Sequence, residues 1–99
     1  MAESSKRVIR ADIGKTFKYT LPLRATAGYD WRIEFDPNEI ELVRRQRRAN
    51  MQSFGGAGSD DFWLRAVRPG RLKIRFDLVR PFDKTVDETV TLEVYTTSQ

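Results

Sequence analysis

The residue types that most enzymes use for covalent and metal chemistry are missing from this chain of 99 residues, which has no cysteine and no histidine. Their absence excludes a thiolate nucleophile, an imidazole base and the usual nucleophilic triads. A pair of carboxylates could still hydrolyse glycosides. The acidic residues, however, fall mostly on the polar side of alternating segments or in turns, where a solvated surface role is expected. We therefore predict that the protein is not an enzyme and uses no metal, cofactor or small-molecule substrate.

A cluster of basic residues, Arg44-Arg45-Gln46-Arg47-Arg48, offers a different function. The net charge is +4 and the isoelectric point is about 9.8, so nucleic acid or another polyanion is an alternative partner. The other interpretation is a solvated strand end that protects a sheet edge. No pair of aromatic residues alternates with the arginines, as a stacking platform would require, and this disfavours nucleic acid.

Alternation of apolar and polar residues predicts seven short strands. A helix over 37–48 is the alternative for the fourth of them, but its alternation favours a strand. Seven strands with one apolar face each indicate an immunoglobulin-like antiparallel β-sandwich, with a small barrel as the alternative. The predicted strands are 7–11, 16–21, 29–35, 39–43, 62–66, 72–78 and 90–94. We expect Trp31 in the core, whereas Trp63 faces outward, either covered by arginine stems or within an adhesive patch.

The length predicts a single domain over residues 1–99, with residues 1–6 and 96–99 as flexible tails. No apolar run approaches the roughly 18 residues that span a bilayer, so no membrane association is expected. The first residues do not resemble a signal peptide. The compartment stays open, because a periplasmic or secreted protein whose leader had been removed would give the same sequence. We expect a monomer.

Three connections are distinctive in composition, and the topology predicts that they meet. If successive strands alternate in direction, the connections after the second, fourth and sixth strands emerge at one end of the sandwich. The opposite end has ordinary turns at 12–15, 36–38 and 68–70. Loops on a rigid scaffold commonly carry binding function. The three distinctive connections contain Arg24-Ala25-Thr26-Ala27-Gly28, Gly55-Gly56-Ala57-Gly58 and Arg80-Pro81-Phe82.

The motifs in these connections resemble those of the chagasin family, which are inhibitors of papain-like cysteine proteases with an immunoglobulin-like fold. That family has an Asn-Pro-Thr-Thr-Gly loop before an aromatic-x-Trp, then a Gly-x-Gly-Gly loop, then Arg-Pro-Trp or Arg-Pro-Phe. In this chain Gly28 precedes Tyr29-Asp30-Trp31, and the glycine loop and Arg80-Pro81-Phe82 follow in the same order. The segment 62–70 is also similar to the family. The resemblance extends over most of the chain, from about residue 16 to 94.

The resemblance implies inhibition by occlusion of the protease cleft. Thr26 of the first loop would lie near the catalytic cysteine and histidine, the glycine loop would run along one flank, and Arg80-Pro81-Phe82 would cover the other. The chain departs from the family where Arg24 and Ala25 replace Asn-Pro and Ala27 replaces the second Thr. Loss of the proline removes a fixed φ, so we expect a less preorganised first loop and weaker binding. In the second loop, Ala57 occupies the place of a glycine.

Overall fold

A computed structural model of the protein describes residues 3–23, 29–48, 58–80, 82 and 84–97. These residues form seven strands and no helix, so no helix among them could cross a membrane. The fourth element is a strand, as predicted. The strands are β1 (Glu3–Asp12), β2 (Thr16–Pro22), β3 (Asp30–Phe35), β4 (Ile40–Arg48), β5 (Ser59–Ala66), β6 (Gly70–Arg80) and β7 (Thr85–Thr97).

The strands form two separate sheets, which confirms the sandwich and excludes the barrel. One sheet has the order β1-β7-β6-β3 and the other has the order β2-β5-β4. Four of the five strand pairs are antiparallel. The fifth pair, β1 with β7, is parallel. The first strand therefore runs in the direction of the last, while the remaining pairing follows the antiparallel, immunoglobulin-like arrangement that the turn pattern predicted.

The core lies between the sheets and consists of the apolar faces that alternation assigned. Residues 72, 74, 76 and 78 of β6 are all buried, as is Trp31 of β3 with 1% of its surface exposed. Phe76 contacts aromatic rings of the opposite sheet, because its centroid lies 5.0 Å from that of Phe62 and 5.4 Å from that of Tyr19. With no cysteine in the chain, this packing replaces any covalent link between the sheets.

The first and the last strand each extend closer to the ends of the chain than predicted. Glu3 to Lys6 were expected in a flexible tail, but they pair with Glu88 to Thr91 of β7. At the other end β7 includes Thr96 and Thr97. The first of these segments has no apolar alternation because every residue in it is exposed on an edge strand. Backbone pairing with β7 and the ion pair of Lys6 with Glu93 place it in the sheet, and apolar alternation reports neither.

The basic cluster also departs from the prediction, which ended the fourth strand at residue 43. β4 continues to Arg48 and pairs with β5 throughout. A bulge between Leu42 and Arg44 shifts the register. An extra residue in one strand reverses which face the following side chains occupy. Arg45 therefore lies opposite the buried Phe62, on the inner face.

Four of the fourteen acidic residues are buried and are exceptions to the mostly solvated role expected of the carboxylates. They are Asp60, Asp61, Asp77 and Glu93, with exposed fractions of 0, 0, 5 and 4%. Each forms an ion pair with a basic side chain of a neighbouring strand. Burial of a carboxylate is tolerated when cations and hydrogen bonds compensate for lost water. Sequence alternation alone does not show such cross-strand partners.

Candidate functional site

The strand ends that carry the three distinctive connections meet at one end of the sandwich. The amide of Leu23, just after β2, donates a hydrogen bond of 3.2 Å to the carbonyl oxygen of Gly58, just before β5. The start of β3 lies beside the end of β6, because Asp30 pairs with Val79. The end of β6 in turn pairs with the start of β7. The roots of all three predicted loops are therefore adjacent, as the topology predicted.

Most of the loop residues themselves lie outside the described part of the chain. These are Arg24, Ala25, Thr26, Ala27, Gly28, Gly55, Gly56, Ala57 and Pro81. The described loop residues are Gly58, Arg80 and Phe82. The structure thus places the roots of the first and second loops and most of the third, and the roles of the individual loop residues stay predictions.

The opposite end of the sandwich has the ordinary turns that the sequence predicted. Lys15 closes the first turn by donating its amide to the Asp12 carbonyl oxygen at 3.2 Å, with Gly14 between them at a φ of 82°. The Asp36 carboxylate accepts the amide of Asn38 at 2.9 Å. Asp and Asn commonly bond local backbone in this way, and Gly adopts positive φ without strain. The distinctive loops and the simple turns are therefore segregated to opposite ends.

The third loop is a tight connection that exposes an aromatic ring. The amide of Lys84 donates to the Arg80 carbonyl oxygen at 2.7 Å, and Lys84 adopts a left-handed φ of 57°. Phe82, between them, is 77% exposed. The Arg80 guanidinium lies 5.8 Å from the centre of the Phe82 ring. This end of the protein therefore presents an apolar ring with a neighbouring cation, a combination common among residues that dominate binding energy.

Behind the first loop, Trp31 joins the two sheets. Its indole Nε1 donates a hydrogen bond of 2.8 Å to the carbonyl oxygen of Pro22 at the end of β2. Trp31 is a core residue, as predicted. Its ring is buried in the core, and its hydrogen bond ties β3 to the end of β2, the two strands that flank the first loop.

A second link between the sheets was not predicted from the sequence. Arg45 of β4 donates through Nε and Nη2 to the two carboxylate oxygens of Asp60, at 3.0 and 2.6 Å. Its Nη2 also donates to the Trp31 carbonyl oxygen at 2.6 Å. Asp30 approaches the same guanidinium at 3.4 Å and forms an ion pair with Arg47. The sequence feature that could have indicated this link is the Asp60-Asp61 pair of β5, which lies opposite the arginines of β4.

Residues 10–94 match the family model described as Chagasin family peptidase inhibitor I42. The protein belongs to the chagasin family. As a member of an inhibitor family it is not an enzyme, as predicted. The match begins inside β1 and ends inside β7, so it includes all five strands between them. No curated protein matches the sequence closely enough to be counted as a relative.

Solved structures of similar shape agree with chagasin membership. A cysteine protease inhibitor of Entamoeba histolytica, EhICP2, has a TM-score of 0.75 at 18% identity, covering 95% of this chain and 97% of that one. PbICP-C, determined in complex with falcipain-2, has a TM-score of 0.67 at 22% identity, covering 99% and 91%. The solution structure of Amebosin has a TM-score of 0.54 at 18% identity, covering 98% and 100%. At these identities the likeness shows the fold.

Most of the basic cluster of this protein forms ion pairs within its own fold. Arg45 and Arg47 contact Asp60 on the inner face, and Arg48 contacts Asp61 on the outer face at 2.9 Å. Arg44, which hydrogen-bonds Gln46 at 2.8 Å, has no acidic partner among the described residues. Because the charges of three of the four arginines are balanced within the fold, the cluster is not a free basic surface. The structure therefore gives polyanion binding no support at this site.

Trp63 lies on the outer face of the β2-β5-β4 sheet, and its neighbours there show whether it is covered or part of an adhesive patch. Lys18 Nζ lies 5.3 Å from the centre of the Trp63 ring, and the Arg44 guanidinium lies 4.9 Å from it. The ring is half-buried between these two basic stems. Trp63 is therefore a covered surface residue and not an adhesive patch. Its cationic neighbours contribute cation–π attraction, worth about 0.5–1 kcal/mol each at exposed positions.

Proposed function

We propose that this chagasin-family protein is a reversible, competitive inhibitor of papain-like cysteine proteases that occludes the active-site cleft with the three loops at one end of the sandwich. The observation that carries the proposal is the meeting of the three loop roots, with Phe82 exposed among them, in a chain of a peptidase-inhibitor family. Two similar structures support the choice of target. One is named a cysteine protease inhibitor, and the other was solved with falcipain-2 bound.

The first loop enters the cleft, with Thr26 near the catalytic cysteine and histidine and with Arg24, Ala25, Ala27 and Gly28 shaping its approach. Inhibition needs no chemistry from the inhibitor, which fits a chain without cysteine or histidine. The loop offers no peptide bond in a cleavable pose, so the complex forms and dissociates without covalent change. Because its roots are anchored on Trp31, the loop leaves the sandwich from a fixed base.

The other two loops extend the contact on both sides of the first. Gly55, Gly56, Ala57 and Gly58 lie along one flank, where small residues allow close approach and backbone pairing with the protease. Arg80, Pro81 and Phe82 cover the opposite flank. The exposed Phe82 ring loses its contact with water on binding, and at roughly 25 cal/mol per Å² of apolar surface such a ring is a strong anchor.

The direct test is titration of papain activity with the purified protein, at low and at moderate salt. We expect saturable inhibition that raises the apparent KM, leaves kcat unchanged and persists in moderate salt, with an equimolar end point as expected of a monomer. Trypsin, a serine protease, is the control and should keep its activity. Absence of papain inhibition at micromolar protein would overturn the proposal, and inhibition abolished by moderate salt would indicate a nonspecific charge effect instead.

A further inference from the structure

Arg45 lies between the roots of the first and second loops and contacts both. On one side its guanidinium holds the Asp60 carboxylate, two residues beyond Gly58. On the other side it donates to the Trp31 carbonyl oxygen, three residues beyond Gly28. Asp60 belongs to the β2-β5-β4 sheet and Trp31 to the β1-β7-β6-β3 sheet. A single side chain thus connects the two sheets where the loops begin.

The environment of this guanidinium favours a fixed geometry. Asp60 is fully buried, and the Arg45 side chain is 28% exposed. The guanidinium lies 4.7 Å from the centre of the Phe62 ring, which supports one of its faces. Arginine presents several N–H donors in a rigid plane, so it can bond to two oxygens of a carboxylate and to a carbonyl at once. Lysine has a single ammonium group and cannot reproduce this bridge.

Buried ion pairs of this kind fix the relative positions of strands more than they add to the free energy of folding. Replacement of a buried pair by apolar residues is often neutral, because the cost of desolvating two charges offsets their attraction. The bridge nevertheless fixes the distance between β3 and β5 at their loop ends. Binding loops gain affinity when their bound arrangement exists beforehand. The first loop has Ala25 where the family has proline, so its order must come from its roots.

We propose that Arg45 is a positioning residue for protease binding, whose bridge between Asp60 and the Trp31 carbonyl holds the first and second loops at the separation that the protease cleft requires. This inference rests on the proposed function. Arg45 acts through the loop roots and does not itself contact the protease. The Leu23–Gly58 and Trp31–Pro22 hydrogen bonds belong to the same framework, and they report on its integrity without any protease present.

The test compares Arg45→Lys with Arg65→Lys, which makes the same substitution in another arginine of the same hairpin. Arg65 of β5 pairs with Glu41 of β4, towards the end of the sheet opposite the loops. Exchange of the Trp31 indole N–H and the Leu23 amide is followed by NMR in the free protein, with the Trp63 indole as internal reference. The inhibition constant and the dissociation rate are then measured with papain.

For Arg45→Lys we expect faster exchange at both reporters and, in the papain complex, a dissociation rate and inhibition constant raised about tenfold. Arg65→Lys should change none of these. The double variant Arg45→Leu/Asp60→Leu, which removes both charges and keeps the site apolar, should fold and show the same loss of affinity. Equal exchange and equal dissociation rates for the two lysine variants would overturn the inference.

The exchange measurement separates this inference from the proposed function. If the unmodified protein fails to inhibit papain, the proposed function is wrong, yet the two NMR reporters still show whether Arg45 holds the loop roots. If papain is inhibited and both reporters are unchanged in Arg45→Lys, the positioning role alone is rejected.

Discussion

The indole nitrogen of Trp31 lies 2.8 Å from the carbonyl oxygen of Pro22 and joins the last residue of β2 to the second residue of β3 across the sandwich. This hydrogen bond closes the base of the first loop. Because Trp31 is also 1% exposed, the same side chain fills the core and links the strands on either side of the first loop. Trp31 therefore contributes both to core packing and to the link between the strands that carry the first loop.

Substitution Trp31→Phe should destabilise the fold while retaining it. The variant loses the indole donor, leaves the Pro22 carbonyl without this partner and opens a small cavity, with an expected cost of about 2–3 kcal/mol. Urea unfolding monitored by circular dichroism measures the loss. Trp63→Phe is the matched control, since that ring is half-buried on the outer face, and it should cost less than about 1 kcal/mol. An equal loss in the free energy of unfolding for the two variants would show that the Trp31 hydrogen bond and the new cavity have no measurable effect on stability.

Phe82→Ala should weaken protease binding without weakening the fold. The ring is 77% exposed, so its removal should change the free energy of unfolding by less than about 0.5 kcal/mol. If the ring anchors the third loop on the protease, the inhibition constant for papain should rise by about tenfold or more. Val67→Ala removes another exposed apolar side chain, at the opposite end, and should leave inhibition unchanged. An unaltered inhibition constant in Phe82→Ala would place this ring outside the contact.

Thr26→Trp and Thr26→Glu test the first loop. A bulky ring or a carboxylate at the position nearest the protease nucleophile should obstruct entry to the cleft and raise the inhibition constant at least about tenfold. Thermal unfolding should be unchanged, because the substitution is in a loop. Thr26→Ser, which keeps the hydroxyl group and the small volume, is the control. Parallel losses of stability and inhibition in the Trp and Glu variants would mean that Thr26 is structural.

Acid should destabilise the protein through its buried carboxylates. Burial acts to raise the pKa of Asp61, but hydrogen bonds from Thr20 and Arg48 and the charges of Lys18 and Arg48 together outweigh it and lower that pKa. A hydrogen bond from Lys6 is the main cause that lowers the pKa of Glu93, against the effect of burial. A carboxyl group whose pKa is lower in the folded state stabilises the fold only while it is ionised.

This contribution is complete above about pH 5 and is lost as pH falls through the ordinary carboxyl range towards the lower pKa of the folded state. The urea midpoint should therefore be constant from about pH 7 to 5 and should fall below about pH 4. Asp61→Asn should flatten that fall more than Glu34→Gln, which removes an exposed carboxylate of β3. A decline as steep in Asp61→Asn as in the unmodified protein would exclude Asp61 as its source.

Apolar alternation was a sufficient guide where one side of a strand faces the core. Leu72, Ile74, Phe76 and Leu78 predicted both β6 and its buried face, and Trp31 was assigned to the core on the same ground. The end of the sandwich that carries the loops also followed from strand alternation. These features depend on a period of two, which side-chain identity records directly.

Alternation failed where side chains obtain their partners from another strand. Arg45 looked like part of a solvated basic run, but the bulge after Leu42 turns it inward to meet Asp60. Asp61, on the polar side of β5, is buried beneath Lys18, Thr20 and Arg48. Neither pairing involves sequence neighbours, so a pattern read along a single segment could not reveal it.

The sequence by itself determined the all-β class, the succession of strands along the chain, most of the core faces and the three loops that resemble those of the chagasin family, because local alternation and turn residues encode them. The pairing of the strands into two sheets, which excludes a barrel, came from the structure. Only the tertiary structure decided the use of the charges. The bulge in β4 and its register with β5 turn Arg45 towards Asp60, and β3 lies close enough for the same side chain to bond the Trp31 carbonyl oxygen. Part of the basic run thereby becomes the bridge that links the loop roots. Electrostatic partners depend on distance in space, and that distance exists only after the two sheets have packed together.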